Sequence, residues 1–153
     1  MGLILNTSVL VASEQRGEPA GDILRQARAK HGEFDVALSA VSVVELTHGI
    51  YRARTDAVRE RRRIFAESLF HDLIVHPVSV AIAQLARRTE GEQAARGISL
   101  AIEDLVIGAT TLHLGFDVAT LNVKHFRHPR PQNRQTLDRV SQVSLLSPAR
   151  RLR

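Results

Sequence analysis

Four side chains with oxygen donors lie near the predicted ends of strands or the starts of helices. Asn6 ends GLILN, Glu45 lies one turn into a helix in VSVVELTHGI, Asp104 lies early in AIEDLVIGATTL and Asn122 ends DVATLN. Because parallel sheets bind ligands at the carboxyl ends of their strands, we expect these four catalytic candidates in one crevice. Their oxygens suit Mg²⁺ or Mn²⁺.

The elements that must position these residues alternate between strands and helices. Apolar runs predict strands at GLIL, DVALSA, LIVHP and DVATLN, with VSQVSLLS as a further edge strand. Between them, we predict a short helix capped by Thr7 or Ser8, and helices over 20–32, 42–54, 55–73, 80–95 and 101–115. This alternation predicts an α/β fold, a central parallel β-sheet flanked by helices on both faces.

Composition limits the possible classes of protein. The 153 residues fit one domain, predicted over 1–146 with a basic tail over 147–153. The absence of cysteine excludes disulfides and Cys-based zinc sites. No apolar run reaches the roughly 20 residues of a membrane span, and no signal peptide is evident, so we expect a cytoplasmic protein without a membrane partner.

A basic segment predicts contact with a polyanion. The formal net charge is +5, and the predicted fourth helix carries Arg59, Arg61, Arg62 and Arg63. Such a run is commonly a solvated helix face. Because the whole chain is basic, we predict that Arg59, Arg62 and Arg63 contact the phosphates of a nucleic acid.

Three stretches together resemble the PIN-domain nucleases, especially the VapC-type toxins of toxin–antitoxin modules. They are GLILNTSVLVA, VSVVELTHGI and IEDLVIGATTLHLGFDVATLNVKHF, in the family's order and spacing. The resemblance implies a metal-dependent endoribonuclease whose metal ligands are Asn6, Glu45 and Asp104, the last two at acidic positions. Asn122 matches a fourth position that is acidic or Asn, and His125 is the nearby alternative. It also implies supporting roles for Ser8 and His125, a VapB-type antitoxin as partner, and a homodimer.

The chain departs from the family pattern at Asn6, where the family normally carries Asp as its leading metal ligand. An amide keeps the size and one oxygen but removes a unit of charge, so we predict weakened or absent activity. In such an enzyme one or two Mg²⁺ ions lower the pKa of a bound water and offset charge on the leaving oxygen.

Two other functions are weighed against this hypothesis. An apolar strand followed by Asp-x-Asp-x-Thr would indicate a phosphatase of the haloacid dehalogenase type, but Asn6 and Ser8 occupy the two Asp positions. The alternative that Asn6 favours is a catalytically degenerate PIN-like module that binds RNA or an antitoxin. Such a module would bind RNA without consuming it, and metal would matter little.

Overall fold

The structure is a computed structural model that describes residues 2–33 and 35–122. In chain order its elements are β1 (Gly2–Leu5), α1 (Thr7–Gln15), α2 (Ala20–His31), β2 (Asp35–Ser39), α3 (Ala40–Tyr51), α4 (Asp56–Asp72), β3 (Ile74–His76), α5 (Val80–Ala94), α6 (Ile102–Leu114) and β4 (Asp117–Ala119). None of the described helices is long and apolar enough to cross a bilayer.

The described strands form one parallel sheet in the order β3-β2-β1-β4. β1 is therefore central, and Ile4 is in register with Ala37 on one side and Val118 on the other. Parallel pairing brings all the carboxyl ends of the strands to one edge. This architecture confirms the predicted α/β class, although β4 ends at Ala119 rather than at Asn122.

Helices cover both faces of the sheet. Apolar side chains from α1 to α4 pack on one face of β1 and β2, where Leu5, Leu10, Leu38 and Leu69 are fully buried. On the other face Ile107 of α6 packs against the sheet, and α5 packs against α6. Burial on both faces explains why the strands are almost continuously apolar.

Two helices are capped by residues other than those predicted to start them. Asn6, not Thr7 or Ser8, caps α1, and its side-chain oxygen accepts a hydrogen bond from the backbone N–H of Ser8. α3 is capped by Ser39 rather than opened by Ser42. In both cases an extended residue at the end of the preceding strand or directly after it is the cap, because the chain turns directly from strand into helix. Ser42 lies buried inside α3.

The amino-terminal edge of the sheet is closed by a tight contact. A Cβ atom at Gly2 would lie 2.4 Å from the Phe116 ring, so only glycine fits there without movement. Gly115 takes the left-handed conformation that ends α6 and turns the chain into β4. Asp117 then pairs beside Leu3, at the end of β4 farthest from the predicted site.

Several predictions fall on residues outside the described ranges. They are the edge strand VSQVSLLS, His125 and the basic tail over 147–153.

Candidate active site

Asn6 is at the centre of the carboxyl-terminal edge of the sheet and is 1% exposed. Its backbone N–H donates to the Ala119 carbonyl at 2.9 Å, which ties the end of β1 to the end of β4. Its side-chain Oδ1 accepts from Ser8 N at 2.9 Å, and its Nδ2 donates to Asp104 Oδ1 at 3.0 Å. Two residues that lie far apart in the sequence therefore meet in a direct hydrogen bond.

Glu45 is held beside this pair by a buried threonine. The hydroxyl of Thr7, the residue after Asn6, donates to Glu45 Oε2. Burial raises the pKa of the half-buried Glu45 carboxyl, the Thr7 hydrogen bond opposes that rise, and the negative charges of Glu103 and Asp104 add to it. Glu45 and Asp104 thus belong to one acidic cluster, and Glu103 is close enough to contribute to its field.

Glu45→Gln is expected to raise Tm more at about pH 8 than at about pH 4. A pKa raised in the folded state gives stability that is present below the ordinary pKa and is lost as pH rises through the folded one. The glutamine removes this loss and can still accept the Thr7 hydrogen bond. Thermal unfolding of both proteins across this pH range checks the prediction, and a pH-independent difference in Tm would contradict it.

Hydroxyl groups organise the chain where it leaves β4. Ser8 Oγ lies 3.5 Å from Thr120 Oγ1 and accepts from Leu121 N at 3.1 Å. Thr120 Oγ1 also accepts from Asn122 N at 3.0 Å. Ser8 and Asn122 therefore lie at the same edge as Asn6, with Asn122 exposed and its backbone anchored. This network does not link the Asn122 side chain to Glu45 or Asp104.

Sequence reasoning missed the threonines that support the cluster. Thr7 orients Glu45, Thr120 anchors the exit of β4, and Thr110 Oγ1 lies 3.2 Å from Ser39 Oγ between α6 and the end of β2. The sequence could have indicated a supporting role for Thr7, because it follows Asn6 directly and lies at the turn from strand to helix. It gave no such indication for Thr110, since a threonine within a helix commonly bonds back to its own backbone, as Thr110 also does.

The arginines of α4 take part in ion pairs. Arg59 pairs with Asp56, and Arg63 pairs with Glu60 and Glu67 along the helix surface. Arg62 differs from them, because its Nη1 donates to the Gly49 carbonyl of α3 at 2.6 Å and its Nε lies 3.9 Å from Glu14 of α1. Arg61 Nε donates to the same carboxylate at 2.7 Å. Contact of Arg59, Arg62 and Arg63 with RNA stays a prediction.

Arg62→Ala is expected to lower the free energy of unfolding by about 1–2 kcal/mol, since it removes a charged hydrogen bond to the Gly49 carbonyl. Arg63→Ala should leave stability nearly unchanged, because its partners are on the exposed face of its own helix. Denaturant unfolding of both proteins checks this prediction. Equal losses of stability would contradict the anchoring role given to Arg62.

The cluster provides two carboxylates and one amide rather than three acids. Within residues 2–33 and 35–122, no group of three His, Asp or Glu side chains is arranged to hold a metal ion. The Asn6 oxygen is engaged at the start of α1, and the atom that faces Asp104 is a nitrogen. As written, this set of donors does not fit Mg²⁺ or Mn²⁺, which need oxygen ligands.

Comparison with known proteins gives one consistent result. The model of the PIN domain matches residues 3–130. "Ribonuclease VapC1" from Rickettsia felis is 25% identical over 127 residues, covering 83% of this chain and 90% of that protein. The structure of VapBC2 from Rickettsia felis bound to a promoter DNA fragment has 18% identity and a TM-score of 0.69, covering 82% of this chain and 91% of that one. The structure of VapBC-5 from Mycobacterium tuberculosis has 26% identity and a TM-score of 0.61, covering 79% of this chain and 85% of that one.

Proposed function

Because this chain belongs to the PIN-domain family, we propose that it is a ribonuclease toxin of the VapC type, encoded with a VapB-type antitoxin. The observation that carries the proposal is the meeting of Asn6, Glu45 and Asp104 at the carboxyl edge of the sheet, from three elements far apart in sequence. The relatives named ribonuclease VapC cover nearly the same length of chain, which supports the same reaction here.

The proposed substrate is RNA, cleaved in the cytoplasm by a homodimeric protein. Hydrolysis in such a site would require Mg²⁺ or Mn²⁺, which Glu45 and Asp104 would hold together with an acid at position 6, with Asn122 beside them. Asn6 lowers the RNA-cleaving activity of this chain, because its amide adds neither the charge nor the free oxygen that a cation needs. Two hydroxyl groups position this edge without any ion. Thr7 donates to the Glu45 carboxylate, and Ser8 accepts from the backbone N–H of Leu121, just after β4.

A second candidate is a non-catalytic PIN-domain protein that binds RNA or an antitoxin. The hydrogen bond from Asn6 to Asp104 favours it, since it satisfies two of the three central side chains without an ion. This candidate predicts that the protein binds RNA but does not cleave it, whichever residue is at position 6.

RNA cleavage by the chain as written and by Asn6→Asp, each with Mg²⁺ and with EDTA, separates the two candidates. The toxin proposal expects Mg²⁺-dependent cleavage by Asn6→Asp and little by the chain as written. If a folded Asn6→Asp protein binds RNA but leaves total cellular RNA uncut, the binding module is the better account.

A further inference from the structure

Both ends of the Asn6 amide are committed to specific partners inside the protein. The oxygen accepts from Ser8 N at 2.9 Å, and the nitrogen donates to Asp104 Oδ1 at 3.0 Å. The side chain is almost fully buried, so water cannot readily replace either partner. Asn6 therefore links the start of α1 to the first turn of α6 across the end of β1.

The orientation of this amide follows from the chemistry of its two neighbours. Ser8 N–H is a donor and the Asp104 carboxylate is an acceptor, and only one placement of oxygen and nitrogen satisfies both. Rotating the amide by half a turn would set two donors against each other at Ser8 and two acceptors against each other at Asp104. The atom facing Asp104 is thus a nitrogen, which has no lone pair to give to a cation.

An acid at position 6 would meet a different situation. One carboxylate oxygen could still accept from Ser8 N, but the other would face Asp104 with like charge at hydrogen-bond distance. A divalent cation between the two carboxylates relieves that repulsion. The Asn6 N–H relieves it instead in the chain as written, because it brings a partial positive charge to the same oxygen.

We propose that Asn6 is a hydrogen-bonded replacement for the cation, which keeps the acidic cluster assembled in the absence of metal. The site is then stable without an ion, and an added cation does not stabilise it further. A weak metal site would instead be stabilised by enough added cation. This inference rests on the proposed function only in assuming that Asp at position 6 would complete a cation site.

Exchanging the two side chains tests the proposal. Asn6→Asp/Asp104→Asn conserves the total charge, lets Asp at position 6 cap α1, and restores the hydrogen bond with its direction reversed. Asn6→Asp alone leaves two facing carboxylates. Gln84→Glu, an amide-to-acid change at an exposed position of α5, is the matched control. Tm is measured for all four proteins in EDTA and in millimolar Mn²⁺, with calorimetric titration of Mn²⁺.

In EDTA we expect Asn6→Asp to melt roughly 4–10 °C below the chain as written, with the exchanged protein within about 2 °C of it. Mn²⁺ should raise the Tm of Asn6→Asp by at least about 4 °C and leave the other proteins unchanged. If Asn6→Asp does not fold in EDTA, recovery of folding in the exchanged protein supports the proposal in its place.

Two results would overturn the proposal. One is an equal Mn²⁺ effect on the chain as written and on Asn6→Asp, which would mean that the Asn6 amide does not block the cation. The other is equal Tm values for those two proteins in EDTA, which would mean that the hydrogen bond relieves no repulsion. Neither result decides whether Asn6→Asp cuts RNA, so the proposed function stands or falls on the cleavage assay alone.

Discussion

Asn6→Asp is expected to raise the rate of RNA cleavage in millimolar Mg²⁺ by at least about 100-fold over the chain as written, or about 2.7 kcal/mol in activation free energy. The acid supplies a third oxygen donor and a third charge beside Glu45 and Asp104, which cation-dependent hydrolysis requires. Gel analysis of total cellular RNA after timed incubation measures the rate. Induced expression of the variant should also arrest growth.

EDTA should abolish this gain, and Gln84→Glu should leave the low rate of the chain as written unchanged. The control carries the same amide-to-acid change at an exposed position of α5, so a general effect of charge would appear in both variants. A folded Asn6→Asp protein that binds no metal and cuts no RNA would remove most of the support for a nuclease.

In the Asn6→Asp background, Glu45→Gln and Asp104→Asn are each expected to lower cleavage by about 100- to 1000-fold or more. Each change removes one acidic donor while preserving the shape of the side chain. The second double variant is also the exchanged protein, so its folded stability is expected to remain while its activity is lost. Rates are compared with Tm for the same preparations.

Asp117→Asn in that background is the matched control, because Asp117 begins β4 at the opposite end of the strand from the site. Its cleavage rate should stay near that of Asn6→Asp. Equal losses from all three carboxylates would mean that the catalytic edge of the sheet has been assigned wrongly.

The convergence of the site was predictable because it depends on few features of the chain. Continuous apolar runs predict buried parallel strands, and parallel strands place their carboxyl ends together. Asn6 follows one such strand, and Asp104 begins a helix that leads into another, so both had to lie near one edge. The structure brings them to within hydrogen-bond distance.

Other features depend on atomic detail that residue type and spacing do not carry. Asn, Thr and Ser are all good helix caps, so the segment Asn6-Thr7-Ser8 leaves the first helical residue open. Which end of the Asn6 amide faces Asp104 depends on a neighbouring N–H that only the three-dimensional turn supplies. Likewise, Arg62 differs from Arg63 only through partners on other helices.

The central position of β1 also has a consequence for synthesis of the protein. Asn6 leaves the ribosome early, but its partner Asp104 is 98 residues later in the chain. At about 5–20 residues per second, this separation corresponds to roughly 5–20 s of translation. β4, which pairs with β1, is translated later still. A nascent chain that ends before Asp104 therefore lacks the hydrogen bond that joins the two sides of the candidate site, and a variant with the proposed activity would stay inactive until α6 and β4 have been translated.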